Sequence, residues 1–210
     1  MKFKSKINSE KIEKAIADFE AKVDFELVPV ITERSSYSEH IGWMISLIIL
    51  VIFLETIELF FQDSWASTTI YYVVAPLVAT ILGHLLDRSD LVDRFFISKR
   101  ERQRQTFEKA QRIFFLKQLH ATKKNNSLML FISVMERRIV ILPDPRLKLA
   151  GLEALQTKLI EIIGVEFKKG QFEDGFLKAI AFLETELAGN FPKSGSNANQ
   201  YSNKLIWWND

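Results

Sequence analysis

Ile41–Phe61 (IGWMISLIILVIFLETIELFF) and Ala66–Leu86 (ASTTIYYVVAPLVATILGHLL) are the stretches on which the reading of this chain turns. The first is apolar except for Glu55 and Glu58, and the second contains no Asp, Glu, Lys or Arg. At a rise of 1.5 Å per residue, a helix of this length covers about 30 Å, the thickness of a bilayer's hydrocarbon core. Only Gln62-Asp63-Ser64-Trp65 separates the two runs, so two helices here must be antiparallel neighbours. The competing reading is a buried helical hairpin in a water-soluble protein. A soluble helix keeps a polar stripe, however, and the second run has none wide enough. The pattern predicts a transmembrane hairpin over 41–86. Trp43 near one end, with Trp65, Tyr71 and Tyr72 near the turn, matches the aromatic belt of bilayer proteins. Pro76 removes a backbone donor inside the second helix and should kink it.

Working outward, the basic residues orient the hairpin. No Lys or Arg lies between Arg34 and Arg88, whereas seven precede the hairpin and eight lie between Asp87 and Arg112. Positive flanks stay on the cytoplasmic side, so both soluble segments share one compartment and can fold together. Met1–Tyr37 lacks the pattern of a signal peptide. The expectation is a two-pass protein of the bacterial inner membrane, with both termini and the soluble domain cytoplasmic. Glu55 falls in the outer third of its span and reads as an interfacial carboxylate with Glu58. The alternatives are a proton or ion site, or a pore built by an oligomer.

The remaining composition narrows the chemistry. The chain has 210 residues and a net charge of +2, enough for one cored domain and an added element. Near-neutrality gives no reason to invoke nucleic acid. The absence of cysteine excludes disulfides, thiolate nucleophiles and Cys-ligated metals. The histidines, His40, His84 and His120, show no metal-ligand spacing, so neither a metal nor a cofactor is expected.

Asn8 or Ser9 caps a helix running to about Lys22, with Ile12, Ala15, Ile16 and Phe19 as its apolar face. Phe25–Ile31 reads as a strand that Pro29 interrupts or places near an edge. Beyond the hairpin, Asp90 to about Lys123 has helical periodicity, with Leu91, Phe95, Phe107, Ala110, Ile113 and Phe114 on one face. Lys99, Arg100, Arg102 and Arg104 interrupt that face; they read as a solvated surface, compatible with contact to anionic head groups. Ser127–Val134 and Arg137–Leu142 form a β-hairpin turning near Met135-Glu136, and Pro143-Asp144-Pro145 ends it. Leu152–Ile163 is a helix, Phe167–Gly175 a glycine-punctuated turn, and Phe176–Leu187 a final helix. Ser194–Ser202 has the composition of a flexible linker, and Leu205-Ile206-Trp207-Trp208 is an apolar tip whose alternatives are insertion into the membrane interface, docking on a partner or packing back on the domain.

Strand Ser127–Val134 is apolar on both faces, which requires helices on both sides of the sheet. The predicted fold is therefore α/β: an α/β/α sandwich around a small mixed sheet, with a two-helix transmembrane hairpin inserted after the first strand. Residues 1–40 supply its first helix and strand, 41–86 the hairpin, 87–192 the remainder of the domain, and 193–210 a flexible tail.

These pieces together resemble the TPM domain family, in its bacterial membrane branch. The resemblance rests on Ile12-x3-Ile16-x2-Phe19-Glu20 leading to Phe25-Glu26-Leu27-Val28-Pro29-Val30, and on Glu136-Arg137-Arg138-Ile-Val-Ile-Leu-Pro-Asp144. The most family-like element is Phe167-x2-Gly170-x-Phe172-x2-Gly175-Phe176-x3-Ile180, followed by Leu187 and Phe191-Pro192. The resemblance implies an α/β/α sandwich and a role in membrane-protein maintenance or assembly. Phosphatase activity and calcium binding are attributed to some soluble or lumenal relatives. This chain departs from them where many have a glycine-rich turn and it has Pro143-Asp144-Pro145.

Two functions follow as expectations. The first is a membrane-anchored interaction module, whose partners are the bilayer and another membrane protein or complex. The second is a weak phosphatase or hydrolase. There Asp144 stands at a strand end where α/β folds hold ligands, Arg137 or Arg138 binds phosphate, and Glu26, Glu136 or Glu173 adds a carboxylate. Asp144, Arg137 and Glu26 are the residues named for that site; the bland reading of Asp144 is a turn cap. No Gly-rich phosphate loop, HExxH or GxSxG occurs.

Overall fold

A computed structural model describes residues 7–37, 39–61, 65–87, 89–147, 149–195 and 201–208. It divides into two units, one made of Met1–Ser35 with Gln103–Asp210, the other of Ser36–Arg102.

The first unit is built on a four-stranded mixed sheet. Its strands are β1 (Glu26–Thr32), β2 (Ser127–Ser133), β3 (Arg138–Pro143) and β4 (Ile206–Trp208), in the order β3-β2-β1-β4. β1 runs parallel to β2 and to β4, and β2 is antiparallel to β3. Strand alternation sorts the core into two layers. Leu27, Ile31, Leu128, Leu130, Ile132, Ile139 and Ile141 pack with α1 (Ser9–Lys22) and with the pair α6 (Leu152–Lys168) and α7 (Phe172–Ala188). Val28, Val30, Met129, Phe131 and Val140 pack on the other face with Ala110, Ile113 and Phe114 of α5 (Lys99–Leu116). This is the expected α/β/α sandwich. Asn8 caps α1 by accepting from the amides of Glu10 and Lys11 at 3.0 and 3.4 Å.

Several local expectations are corrected. β1 is continuous across Pro29 and pairs along its whole length with β2. The Glu26 amide donates toward β2, to Asn126 O, so alternation turns the amides of residues 27, 29 and 31 to the opposite edge. There the Leu27 amide donates to the Glu20 carboxylate, and β4 begins only opposite Val30, so Pro29 costs no ladder bond. The tail read as flexible over 193–210 ends in β4. Leu205 is buried and Ile206–Trp208 pair with Val30–Thr32, because the open edge of β1 offers backbone partners and apolar cover. Within the expected linker, 196–200 lie outside the described residues.

The long helix read from Asp90 breaks at Ile97-Ser98 into α4 (Asp90–Phe96) and α5. Ser98 caps α5: its Oγ accepts from the Glu101 amide at 3.1 Å, the Ser-x-x-Glu signature of a helix start. The break resets the helical phase and leaves Phe95 and Phe107, expected inward, on exposed faces. α6 and α7 extend into the stretch read as a turn, which shrinks to Lys169-Gly170-Gln171 with Gly170 at φ +77°. Gly175 sits inside α7 because a Cβ there would come within 2.9 Å of the Phe167 ring. That ring also packs edge-to-face on Phe172 at 4.8 Å.

The second unit contains α2 (Glu39–Phe61), α3 (Trp65–Asp87) and α4. Within α2 and α3, His40–Phe60 and Thr69–Asp87 are long and apolar enough to cross a membrane, and little of either span is buried. Leu47, Val51, Ile52, Leu59, Phe60, Ile70, Val73, Leu77 and Ile81 are exposed. α2 and α3 meet through small residues. Ala75, Ala79 and Gly83 recur every fourth position on α3 and are buried, as are Gly42 and Ser46 on α2. A Cβ on Gly83 would lie 2.1 Å from Ser46 Oγ and 2.8 Å from Gly42 O. Val92 of α4, with Ile97 just after it, packs on Ile41, Ile45 and Ile49. The connector Gln62-Asp63-Ser64 lies outside the described residues.

Candidate functional site

The residues proposed from sequence do not converge. β3 is antiparallel to its neighbour, so Asp144, which follows it, sits beside Ser127 at the amino end of the parallel pair β1 and β2. Ligand sites of α/β sheets gather at the carboxyl ends of the parallel strands, and Asp144, although it follows the carboxyl end of β3, lies at the opposite end of β1 and β2. Arg137 lies at the other end of β3, in the β2–β3 turn at φ 53° and exposed, about 20 Å away along an extended strand. Its left-handed conformation also takes it off the strand on which alternation with Arg138 was expected. Glu26 opens β1 at the same end as Asp144, with β2 between them.

At that amino end the side chains fasten a loop. Asp144 is fully buried; its Oδ1 accepts from the Arg146 amide at 2.9 Å and from Arg146 Nε at 3.0 Å, and its Oδ2 from Arg146 Nη2 at 2.8 Å. This fork holds the Asp144 carboxyl below the usual carboxylate range. Arg146 Nη2 also donates to His120 O, Ser127 Oγ to Leu119 O at 2.6 Å, and Tyr201 Oη to Gln118 O at 2.8 Å. Three consecutive carbonyls of the 3₁₀ turn Leu119–Ala121 and its cap Gln118 are thus tied to β2, to the loop after β3 and to the C-terminal segment. Asp144 makes the contacts of a turn cap, and Arg146 is the residue that sequence reasoning missed. Its signal was Asp-Pro-Arg, an acid two residues before a base across a proline.

Beside this row lies a buried carboxyl pair. Glu20, on the last turns of α1, accepts from the Leu27 amide at 3.0 Å. Burial pushes its carboxyl up to about 7, the nearby Glu26 pushes in the same direction, and the Leu27 amide, Asn203 and Lys193 oppose the shift. Glu26 is 4 % exposed, and it contributes, after burial, to raising the Tyr201 hydroxyl above its ordinary value. Glu20 had been read only as part of a family motif.

The carboxyl ends of β1 and β2 carry a second polar cluster, at the place where the fold class keeps ligands. Glu136, in the β2–β3 turn, is 3 % exposed; its Oε1 accepts from the Ser35 amide at 2.9 Å and its Oε2 from Ser133 Oγ. Ser35 Oγ donates to Ser133 Oγ at 2.7 Å. Lys109 reaches from α5 to donate to Arg34 O at 2.7 Å, and Thr32 Oγ1 donates to the same carbonyl at 3.1 Å. The assembly pins 32–35, the last residues before the chain passes into the second unit, to the β2–β3 turn. Of its members sequence reasoning named Glu136 alone. Glu173 lies elsewhere, at the start of α7, paired with Lys11 at 2.7 Å.

Calcium binding, attributed to some relatives, needs six to eight oxygen ligands drawn largely from clustered carboxylates. Among the described residues, no group of three or more His, Asp or Glu side chains could hold a metal ion. The donor set does not fit that group.

A mixed sheet sandwiched by helices, interrupted after its first strand by a pair of apolar helices, defines an α/β domain carrying a helical insertion. The family model described as the TPM domain matches residues 91–186 of the chain. The match begins after α3 and takes in neither α1 nor β1. A similar solved structure is the NMR structure of the BA42 protein from the psychrophilic bacterium Bizionia argentinensis. Its TM-score is 0.56 at 16% identity, covering 95% of this chain and 92% of that one. At that identity the likeness establishes the fold. No curated protein matches the chain.

Proposed function

We propose that the protein is a membrane-anchored TPM-domain module that binds another membrane protein during assembly or maintenance of membrane complexes. The observation that carries the anchor is the hairpin. α2 and α3 use small residues against each other and turn their Leu, Ile, Val and aromatic side chains outward, a distribution unfavourable in water and suited to lipid. The basic residues on both flanks support an inner-membrane protein with its termini and domain in the cytoplasm. A domain tethered in this way meets membrane partners at a high effective concentration, so even a weak surface can serve as an interaction module.

The test is affinity purification of the detergent-solubilised full chain at native abundance, with co-purifying proteins identified by mass spectrometry. A reproducible membrane-protein partner, lost when 41–86 is replaced by a soluble linker, is the expected result. A chain that purifies alone, or that stays in the soluble fraction, would overturn the proposal.

A further inference from the structure

The exposed face of α5 is the surface that neither the fold nor the proposed anchor has used. Thr106, Lys109, Ala110, Ile113 and Phe114 point into the unit. On the opposite side Arg104, Phe107, Gln111 and Phe115 recur at intervals of three and four, and so form one stripe. Phe107 is 43 % exposed and Phe115 53 %, with Leu116 and Lys117 exposed at the end of the helix and Arg112 exposed beside Phe115. Large aromatic rings lie in water here although the core positions of the same helix are filled. The acidic residue within this stretch, Glu108, is paired with Arg104 at 3.1 Å, so positive charge is in excess.

Arginines interleaved with exposed aromatics are the composition of a helix lying in a membrane interface: the cations meet anionic head groups, and the rings enter the head-group boundary. We propose that this face of α5 docks on the anionic head-group layer of the bilayer that holds α2 and α3. The inference rests on the anchor reading above. The occupant is lipid rather than an acidic protein because α5 follows the two candidate spans with only α4 intervening, which keeps lipid at high local concentration.

The chain has no cysteine, so single-cysteine probes report one position each. The full chain is reconstituted in vesicles of phosphatidylcholine, with or without phosphatidylglycerol. An environment-sensitive dye is placed at Gln111→Cys in one preparation and at Val51→Cys in another. In anionic vesicles the Gln111 probe should shift to the blue and lose accessibility to aqueous iodide. In the Arg104→Gln/Arg112→Gln background the docked-to-free ratio should fall by about fivefold per arginine. Circular dichroism of the double variant matching the parent confirms that it is folded. A Val51 probe quenched by lipid-borne quenchers, beside a Gln111 probe equally open to iodide in both vesicle types, would overturn this docking while leaving the anchor standing. A Val51 probe open to water would defeat the anchor and the docking together. Protection of Gln111 that ignores lipid charge and both arginines would overturn the head-group recognition.

Discussion

Asp144 and Glu20 show how the same side-chain type takes opposite roles from its surroundings. Asp144 is held ionised by the Arg146 fork, so its stabilisation is present at neutral pH and is lost as the pH falls through and below the ordinary carboxylate range. Asp144→Ala leaves Arg146 without its acceptors and should lower stability by about 2 kcal/mol, at the modest end for a buried pair because Arg146 is half-exposed. Urea unfolding of the detergent-solubilised chain measures this; an unchanged midpoint would remove Asp144 as a turn cap. Glu20 works with the reverse sign. Its carboxyl is raised to about 7, so the folded state holds its proton where the unfolded state has released it. Stability therefore falls as pH rises from the ordinary Glu range through about 7, by on the order of 3 kcal/mol when complete. Glu20→Gln keeps an acceptor for the Leu27 amide and removes the titration. It should flatten the curve between about pH 5 and about pH 8, and superimposable curves for variant and parent would contradict the assignment.

At the scale of elements, close approach and turn geometry each account for different glycines. Gly83 permits contact between α2 and α3, and its Cβ position collides with the backbone as well as the side chain of the facing helix. Gly83→Leu should splay the hairpin. Spin labels on the outward positions Ile48→Cys and Ile81→Cys should then report a longer and broader distance distribution than in the parent; an unchanged distribution would place the helix contact elsewhere. Gly175→Ala should displace the Phe167 ring from its cluster with Phe172 and Phe176, costing about 1–3 kcal/mol in unfolding experiments. Gly170, by contrast, is required for its positive φ. In sequence the three glycines look alike, since composition marks where a glycine is without telling whether a turn or a neighbour demands it.

At the scale of the whole molecule, the C-terminal segment completes the domain that the chain began before the hairpin. Leu205 is buried in the layer of α1 and α7, Tyr201 holds the 3₁₀ turn, and β4 covers the carboxyl half of β1's edge. The remaining half is blunted by Glu20 and Pro29, a way of closing a sheet edge that needs no strand. Deleting 201–210 should lower stability by about 2–4 kcal/mol and expose the amides and carbonyls of Val30–Thr32. Light scattering after size exclusion should then show concentration-dependent self-association, which a monodisperse profile identical to the parent's would refute.

Local chemistry alone determined most of the elements, the two apolar spans, the apolar-on-both-faces strand and hence the sandwich, because periodicity and length respond to burial residue by residue. The Ser98-x-x-Glu101 cap that divides α4 from α5 was legible in the same way and simply outweighed by the longer periodic pattern. Tertiary structure decided what depends on partners distant in sequence. It set β1 parallel to β2, so that the end of the β2–β3 hairpin carrying Asp144 falls at the amino end of the parallel pair, away from the usual ligand position. It brought Ser35, Ser133, Glu136 and Lys109 together from the segment after β1, from β2, from the β2–β3 turn and from α5, and it recruited the apolar tip of the tail as a strand. The pairing of β1 with β2 and with β4 leaves no local trace, since it joins segments far apart in the chain.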